Sequence, residues 1–298
     1  PTIFEYYRKH NDDASKSSAL NSWWISNSLG PYPALNYSSY TGYGAAYGAN
    51  YIQPSSIISM EGYNALGNPK TFTSQEMEMV NKIRAFCDAN FAKQYAAESV
   101  GVVNSTAERE QLNMFMAELF QDAMNGAGFN SWGFNSYVSN DLVNLYYAEK
   151  VIEKFKPELT VLNMQDVDVC HTDFTQHCNL LRRADWGVSH LWNTIQNTPG
   201  MADDTVMIVV PEHGRNITSN TVIDAYGRPA FDHNSDATSR EIFCLMCGPS
   251  SVIHQDKVVS SEYGESIDVI PTIADLLGFR DRIPNGMLSG QVLSQAIK

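Results

Sequence analysis

Leu159-Thr160-Val161-Leu162-Asn163-Met164 is an apolar run of strand length, and the chain changes character after it. Cys178 to Gln196 carries Leu181, Ala184, Val188, Leu191, Trp192 and Ile195 at helical spacing. Thr205 to Val210 reads as a second strand, Glu241 to Cys247 as a third, and Ser266 to Leu277 as a helix closed by Gly278. Near-continuous apolar strands separated by helices predict an α/β fold with a mainly parallel sheet and helices on both faces. Sites in such sheets lie beyond the C-terminal ends of the strands.

Upstream, Thr2 stands where an N-cap belongs and Ile3, Phe4 and Tyr7 share a helical face, so the chain is expected to open with a short helix. Ala19 to Ser26 follows as a strand. Asn27 to Tyr51, rich in Gly, Tyr, Ser and Asn, fits neither period and reads as an ordered loop whose tyrosines pack it down rather than line a groove. Helices are expected over Ser74 to Phe91, Thr106 to Met124 and Asn140 to Lys154, with Leu112, Phe115, Met116, Leu119 and Phe120 as a core stripe. At 298 residues the chain fits one large domain, 1–298, with 27–154 as a helical and Gly/Tyr-rich insertion.

The composition is that of a folded globular protein, with 43% hydrophobic and 18% charged residues. No apolar run nears the roughly 18 residues of a membrane-spanning helix, so no transmembrane segment is expected. A formal charge of −13 disfavours a polyanion, and nucleic acid is excluded as a partner. It does not exclude a small anion held by metal ions or helix N-termini. The chain opens Pro1-Thr2-Ile3 with neither an initiator Met nor a basic-then-apolar leader, so it is expected to be processed or to begin midway through a longer protein. Five cysteines argue against a disulfide scaffold. Cys244 and Cys247 read as buried thiols on a strand, and Cys170 and Cys178 as either a bridge or a free pair. His177, His190 and His254 stand outside the clusters described next.

Three clusters sit near strand ends: Asp166-Val167-Asp168-Val169-Cys170-His171, Pro211-Glu212-His213-Gly214 and Asp232-His233-Asn234-Ser235-Asp236. Carboxylate oxygens and neutral imidazole nitrogens are what Zn²⁺ and similar ions take, so the clusters together predict a site for one or two divalent metals.

On these residues the chain resembles the alkaline phosphatase superfamily, which includes sulfatases, nucleotide pyrophosphatases and phosphonoacetate hydrolases. Asp204 to Gly214 is similar to that family's strand ending in Asp-His-Gly. Ser266-Ile267-Asp268-Val269-Ile270-Pro271-Thr272 is similar to its late Asp-x-x-Pro-Thr helix, and Glu241 to Pro249 to its strand ending in Gly-Pro. Pro1 to His10, with Trp23 to Ser26 after it, resembles the family's early helix and strand. The resemblance implies hydrolysis of small anionic phosphate or sulfate esters at divalent metal, Zn²⁺ first and Mn²⁺ as the alternative. It implies Asp168, His171 and His233 on one ion, Glu212 and His213 on a second, and an extracytoplasmic location. Two positions depart from the pattern: Glu212 stands where Asp is usual, and Asp168 and His171 are one residue closer than the usual Asp-x-x-x-His.

The family's nucleophile precedes the Pro-Thr helix with which this chain begins. The attacking residue is therefore expected upstream of Pro1, and the chain alone is expected to lack appreciable esterase activity. The competing reading is a non-catalytic structural or subunit module of the same fold, associated with other chains.

Overall fold

The structure is a computed structural model, and it describes residues 1–11, 17–26, 36–52, 74, 102–124, 140–261 and 263–298. The helix expected over Ser74 to Phe91 lies outside the described residues except for Ser74, as does Cys87. The chain, read from the sequence as one domain, packs as two compact units, Pro1–Met164 and Gln165–Lys298.

The first unit is built on a parallel sheet in the order β2 (Asn50–Ile52), β1 (Ser22–Ser26), β3 (Leu159–Asn163). Trp24 is in register with Tyr51 on one side and Val161 on the other. Every residue of β1 is buried, including the serines that flank its apolar Trp23-Trp24-Ile25 centre. Side chains alternate along a strand, so Trp23 and Trp24 face opposite layers. Trp23 packs on Phe115 of α2 (Thr106–Met124) and on Phe155 of α3 (Asn140–Phe155), with ring centroids at 6.0 and 4.9 Å. Trp24 stacks on Phe4 of α1 (Ile3–His10) at 6.1 Å.

Thr2 caps α1 as its sequence predicts: its Oγ1 accepts from Glu5 N, and Glu5 Oε2 accepts from Thr2 N at 2.6 Å. Glu5 is fully buried, and its other oxygen accepts from Ser38 Oγ and the Gly44 amide. Arg8 donates to the carbonyls of Ser17, Gly48 and Val103. One helical turn thus ties down three loops. Tyr43 of the loop packs on the same helix, against Tyr6, with Lys9 Nζ 4.2 Å from the Tyr43 ring centre.

In the second unit α4 spans Phe174–Asn197. It begins four residues before the expected Cys178, because Asp173 accepts from Gln176 N at 2.8 Å and caps it there. The buried positions are Leu180, Gly187, Leu191 and Ile195, so Leu181, expected on the core face, is 54% exposed. β4 (Met207–Val209) and β5 (Leu245–Cys247) pair antiparallel as a two-stranded ribbon. This corrects the expectation that 159–164, 205–210 and 241–247 form one mainly parallel sheet: β3 pairs with β1 in the first unit, and the other two pair with each other. α/β organisation holds at the coarse level. Cys244, expected buried, precedes β5 and is exposed, and Cys170 and Cys178 are free thiols.

A 3₁₀ turn at Ser266–Asp268 leads into α5 (Val269–Leu276), which ends at Gly278 with φ +71°. Here the Asp-x-x-Pro-Thr residues act as a clamp. Asp268 accepts from the Glu265 and Gln291 amides, and Thr272 Oγ1 accepts from the buried Leu293 amide at 2.9 Å, which holds the C-terminal segment down.

Candidate metal centre

All three clusters singled out in the sequence lie in the second unit. The first forms a 3₁₀ turn, Asp166–His171. The second and third are brought together by an excursion of the chain from Arg215 to Asp232. It is closed at its base by Asn216 N donating to Asp232 O at 2.8 Å, and higher up by Asn220 N to Ala230 O and Ala230 N to Val222 O. At its far end Asp224 accepts from the Thr175 hydroxyl and amide and from the Tyr226 and Arg228 amides, anchoring it to the start of α4. Two further bonds lay the excursion on the 3₁₀ turn: Phe231 N donates to Cys170 O at 3.0 Å, and Asn220 Nδ2 donates to His171 O at 3.0 Å.

Gly214 is needed for close approach. Its amide donates to Ser239 O, and a Cβ there would stand 2.2 Å from Thr238 O and 2.6 Å from Glu241 O.

At the base of the excursion, Asp168, His213 and His233 each turn one ligand atom inward, and these atoms all lie within 4.8 Å of one another. The His213 and His233 rings stack with centroids 3.7 Å apart. His171 meets His233 edge to face at 4.7 Å, with its Nε2 3.2 Å from Asp168 Oδ1. Glu212 stands apart: its side chain is 93% exposed, and its nearer oxygen lies 3.9 Å from His213 Nε2. The two-ion division of ligands is therefore not the grouping seen. Asp168, His213 and His233 form one set, His171 adjoins it, and Glu212 faces solvent.

Two residues outside the expected ligand set complete the centre. Asp232 Oδ1 lies 2.6 Å from His171 Nδ1, and Arg215 bridges Asp168 and His171, its Nη2 donating to Asp168 Oδ1 at 2.7 Å and its Nη1 to His171 Nε2 at 3.1 Å. These contacts match one tautomer of neutral His171. A guanidinium only donates, so His171 Nε2 accepts and Nδ1 carries the proton donated to Asp232. His213 Nδ1 likewise meets the Gly214 carbonyl at 2.8 Å and must donate to it, which leaves its Nε2 lone pair free. Nδ1 tied to a carboxylate or carbonyl with Nε2 free is the orientation in which histidine binds metal.

The carboxylates respond to this setting. Burial pushes Asp168 up, but the hydrogen bond from Arg215 and its positive charge are among the effects that outweigh it and hold the carboxyl below its ordinary value. Asp232 is lowered chiefly by its bonds to His171 and Asn220. Both are ionised at neutral pH.

Compared with known proteins, the chain has no significant match to a family model, a curated protein or a solved structure.

Proposed function

We propose that this chain carries the metal centre of a metal-dependent hydrolase of phosphate or sulfate esters. The observation that carries the reading is the set Asp168, His213 and His233, one carboxylate oxygen and two imidazole nitrogens within 4.8 Å of one another. That donor set fits one divalent ion of the Zn²⁺ or Mn²⁺ kind and fits Mg²⁺ poorly. Bound there, such an ion supplies Lewis acidity to an ester oxygen and activates an oxygen nucleophile. Asp232 and the Gly214 carbonyl hold the histidine rings in register, and Gly214 lets this segment approach the 238–241 backbone. The motif resemblance to the alkaline phosphatase superfamily supports the ester class, an α/β arrangement of that type and an extracytoplasmic location.

Titrating the metal-stripped chain with Zn²⁺ and with Mn²⁺ by calorimetry tests the reading. About one equivalent is expected to bind, weakened roughly 10-fold or more by Asp168→Ala, His213→Ala or His233→Ala. Failure of both ions to bind would sink it. One observation favours the second reading, a structural module: Asp168 and His171 are already paired with Arg215, so this part of the network is satisfied by protein groups alone. Aryl phosphate and aryl sulfate assays of the metal-loaded protein separate the two. Turnover that is lost in Asp168→Ala or His213→Ala supports the hydrolase, and its absence supports the module.

A further inference from the structure

The placement of Arg215 goes beyond this reading while resting on it. Asp168 Oδ1 and His171 Nε2 stand 3.2 Å apart, and in the neutral tautomer matched to the Arg215 and Asp232 contacts neither carries a proton to offer the other. Two acceptors that close repel unless a cation covers both. For Zn²⁺–N and Zn²⁺–O distances near 2.0–2.1 Å, two ligand atoms of a tetrahedral ion stand about 3.3 Å apart, so the pair already has the spacing of a coordination edge. What covers that edge here is the Arg215 guanidinium, with one nitrogen on each acceptor. Arg215 is held from its own side, with its side chain 20% exposed and the neighbouring Asn216 fixed by the Asp232 carbonyl, while the Asp168 side chain it bonds is 59% exposed and open to an incoming ion.

We propose that Arg215 is a built-in competitor for the metal: its guanidinium holds Asp168 and His171 in ligand geometry while no ion is bound, and it must leave them when one binds. A divalent ion and a guanidinium on the same carboxylate oxygen repel, so occupancy by one weakens the other by the same factor. The chain therefore has an arginine-closed state and a metal-loaded state. In the first, His171 has its lone pair engaged by Arg215; in the second, His171 is released to join Asp168, His213 and His233. Metal affinity is set below what four such ligands would give by themselves.

The test has two arms, both on the whole chain and both with metal alone. In the first, Zn²⁺ binding is measured by calorimetry for wild type, Arg215→Gln and Arg215→Lys, with folding of each checked by circular dichroism. Arg215→Gln is expected to bind roughly tenfold tighter or more. Arg215→Lys, which keeps the charge but loses the two-nitrogen bridge, is expected to fall between wild type and Arg215→Gln. The second arm needs no variant: phenylglyoxal labelling of wild-type Arg215, read by peptide mass spectrometry, is expected to speed up when Zn²⁺ is added, because the guanidinium is released. If wild type binds Zn²⁺ but Arg215→Gln binds no tighter and Zn²⁺ does not speed labelling, the competitor role falls and the metal centre stands. If neither wild type nor Arg215→Gln binds Zn²⁺, both fall together.

Discussion

Asp232 shows how much a single side chain outside the ligand set governs this centre. Its contact with His171 Nδ1 fixes which nitrogen carries the proton and which way the ring faces. Asp232→Asn can still accept but carries no charge, and Asp232→Ala removes the acceptor. We expect Zn²⁺ affinity to fall about 10- to 100-fold in Asp232→Ala and less in Asp232→Asn, measured by competition with a chelator. Gly214 is a steric case. With backbone oxygens at 2.2 and 2.6 Å from any added Cβ, Gly214→Ala has to push two backbone segments apart. A loss of roughly 1–3 kcal/mol is expected, read as a lower thermal midpoint, together with weaker metal binding because His213 moves with its neighbour. No loss of stability would mean that the 238–241 segment yields freely. The Asp-to-Glu departure noticed at Glu212 has a simple outcome here: the longer arm is in solvent, and Glu212→Gln should leave Zn²⁺ affinity within about twofold, since exposed charges contribute little.

At the scale of elements, two anchors do most of the positioning. The first is the bond set on Asp224 that fastens the excursion to α4. Burial pushes this carboxyl up, but the bonds from Thr175, Arg228 and Tyr226 outweigh it, and Asp224 lies well below the ordinary carboxylate range. A group whose folded pKa is lowered contributes stability above its unfolded pKa, near 4, and loses that contribution as pH falls through the folded value. Wild type should therefore lose stability below about pH 4, and Asp224→Asn should show a shallower fall there, followed by thermal melts from pH 6 to pH 3. An identical slope in the two would show that Asp224 is not the group responsible. The second anchor is Thr272, whose hydroxyl accepts from the buried Leu293 amide and donates to Asp268 O at 2.7 Å. Thr272→Val leaves that amide unsatisfied and is expected to cost about 1–3 kcal/mol, with faster hydrogen exchange at Leu293 as the local sign.

For the molecule as a whole, the division into Pro1–Met164 and Gln165–Lys298 places every candidate ligand in the second unit. Ligand binding stabilises whatever must fold to form the site, by about 2.7 kcal/mol at one hundred times the dissociation constant. Adding Zn²⁺ should therefore slow hydrogen exchange at 166–171, 212–216 and 232–234 and leave β1, β2 and β3 unchanged, and a chelator should reverse it. Protection that appeared equally in β1 would show that metal binding is coupled to the first unit. At this scale the charge of −13 also matters, since an acidic chain attracts divalent cations nonspecifically. Control titrations with Mg²⁺, which the imidazole-rich set disfavours, separate that background from site binding.

Local chemistry was legible in the chain: the Thr2 cap, the strand at Trp23 to Ser26, the helix closed by Gly278 and the three Asp/Glu-plus-His clusters all rest on residues near one another in sequence. Capping, periodicity and turn chemistry act over a few residues, so sequence carries them directly. The pairing of strands is not of that kind. Nothing in Val206 to Val210 says whether its partner lies parallel or antiparallel, and β4 pairs antiparallel with β5 because strand pairing is decided by contacts distant in the chain. The same holds at the metal centre. Arg215 is 47 residues from Asp168, and Asp232 is 61 from His171, so neither pairing leaves a local signal. Which side chains carry the ligand chemistry was set by residue type; which tautomer His171 adopts, and which cation covers it, was set only when the 215–232 excursion folded back onto the 3₁₀ turn.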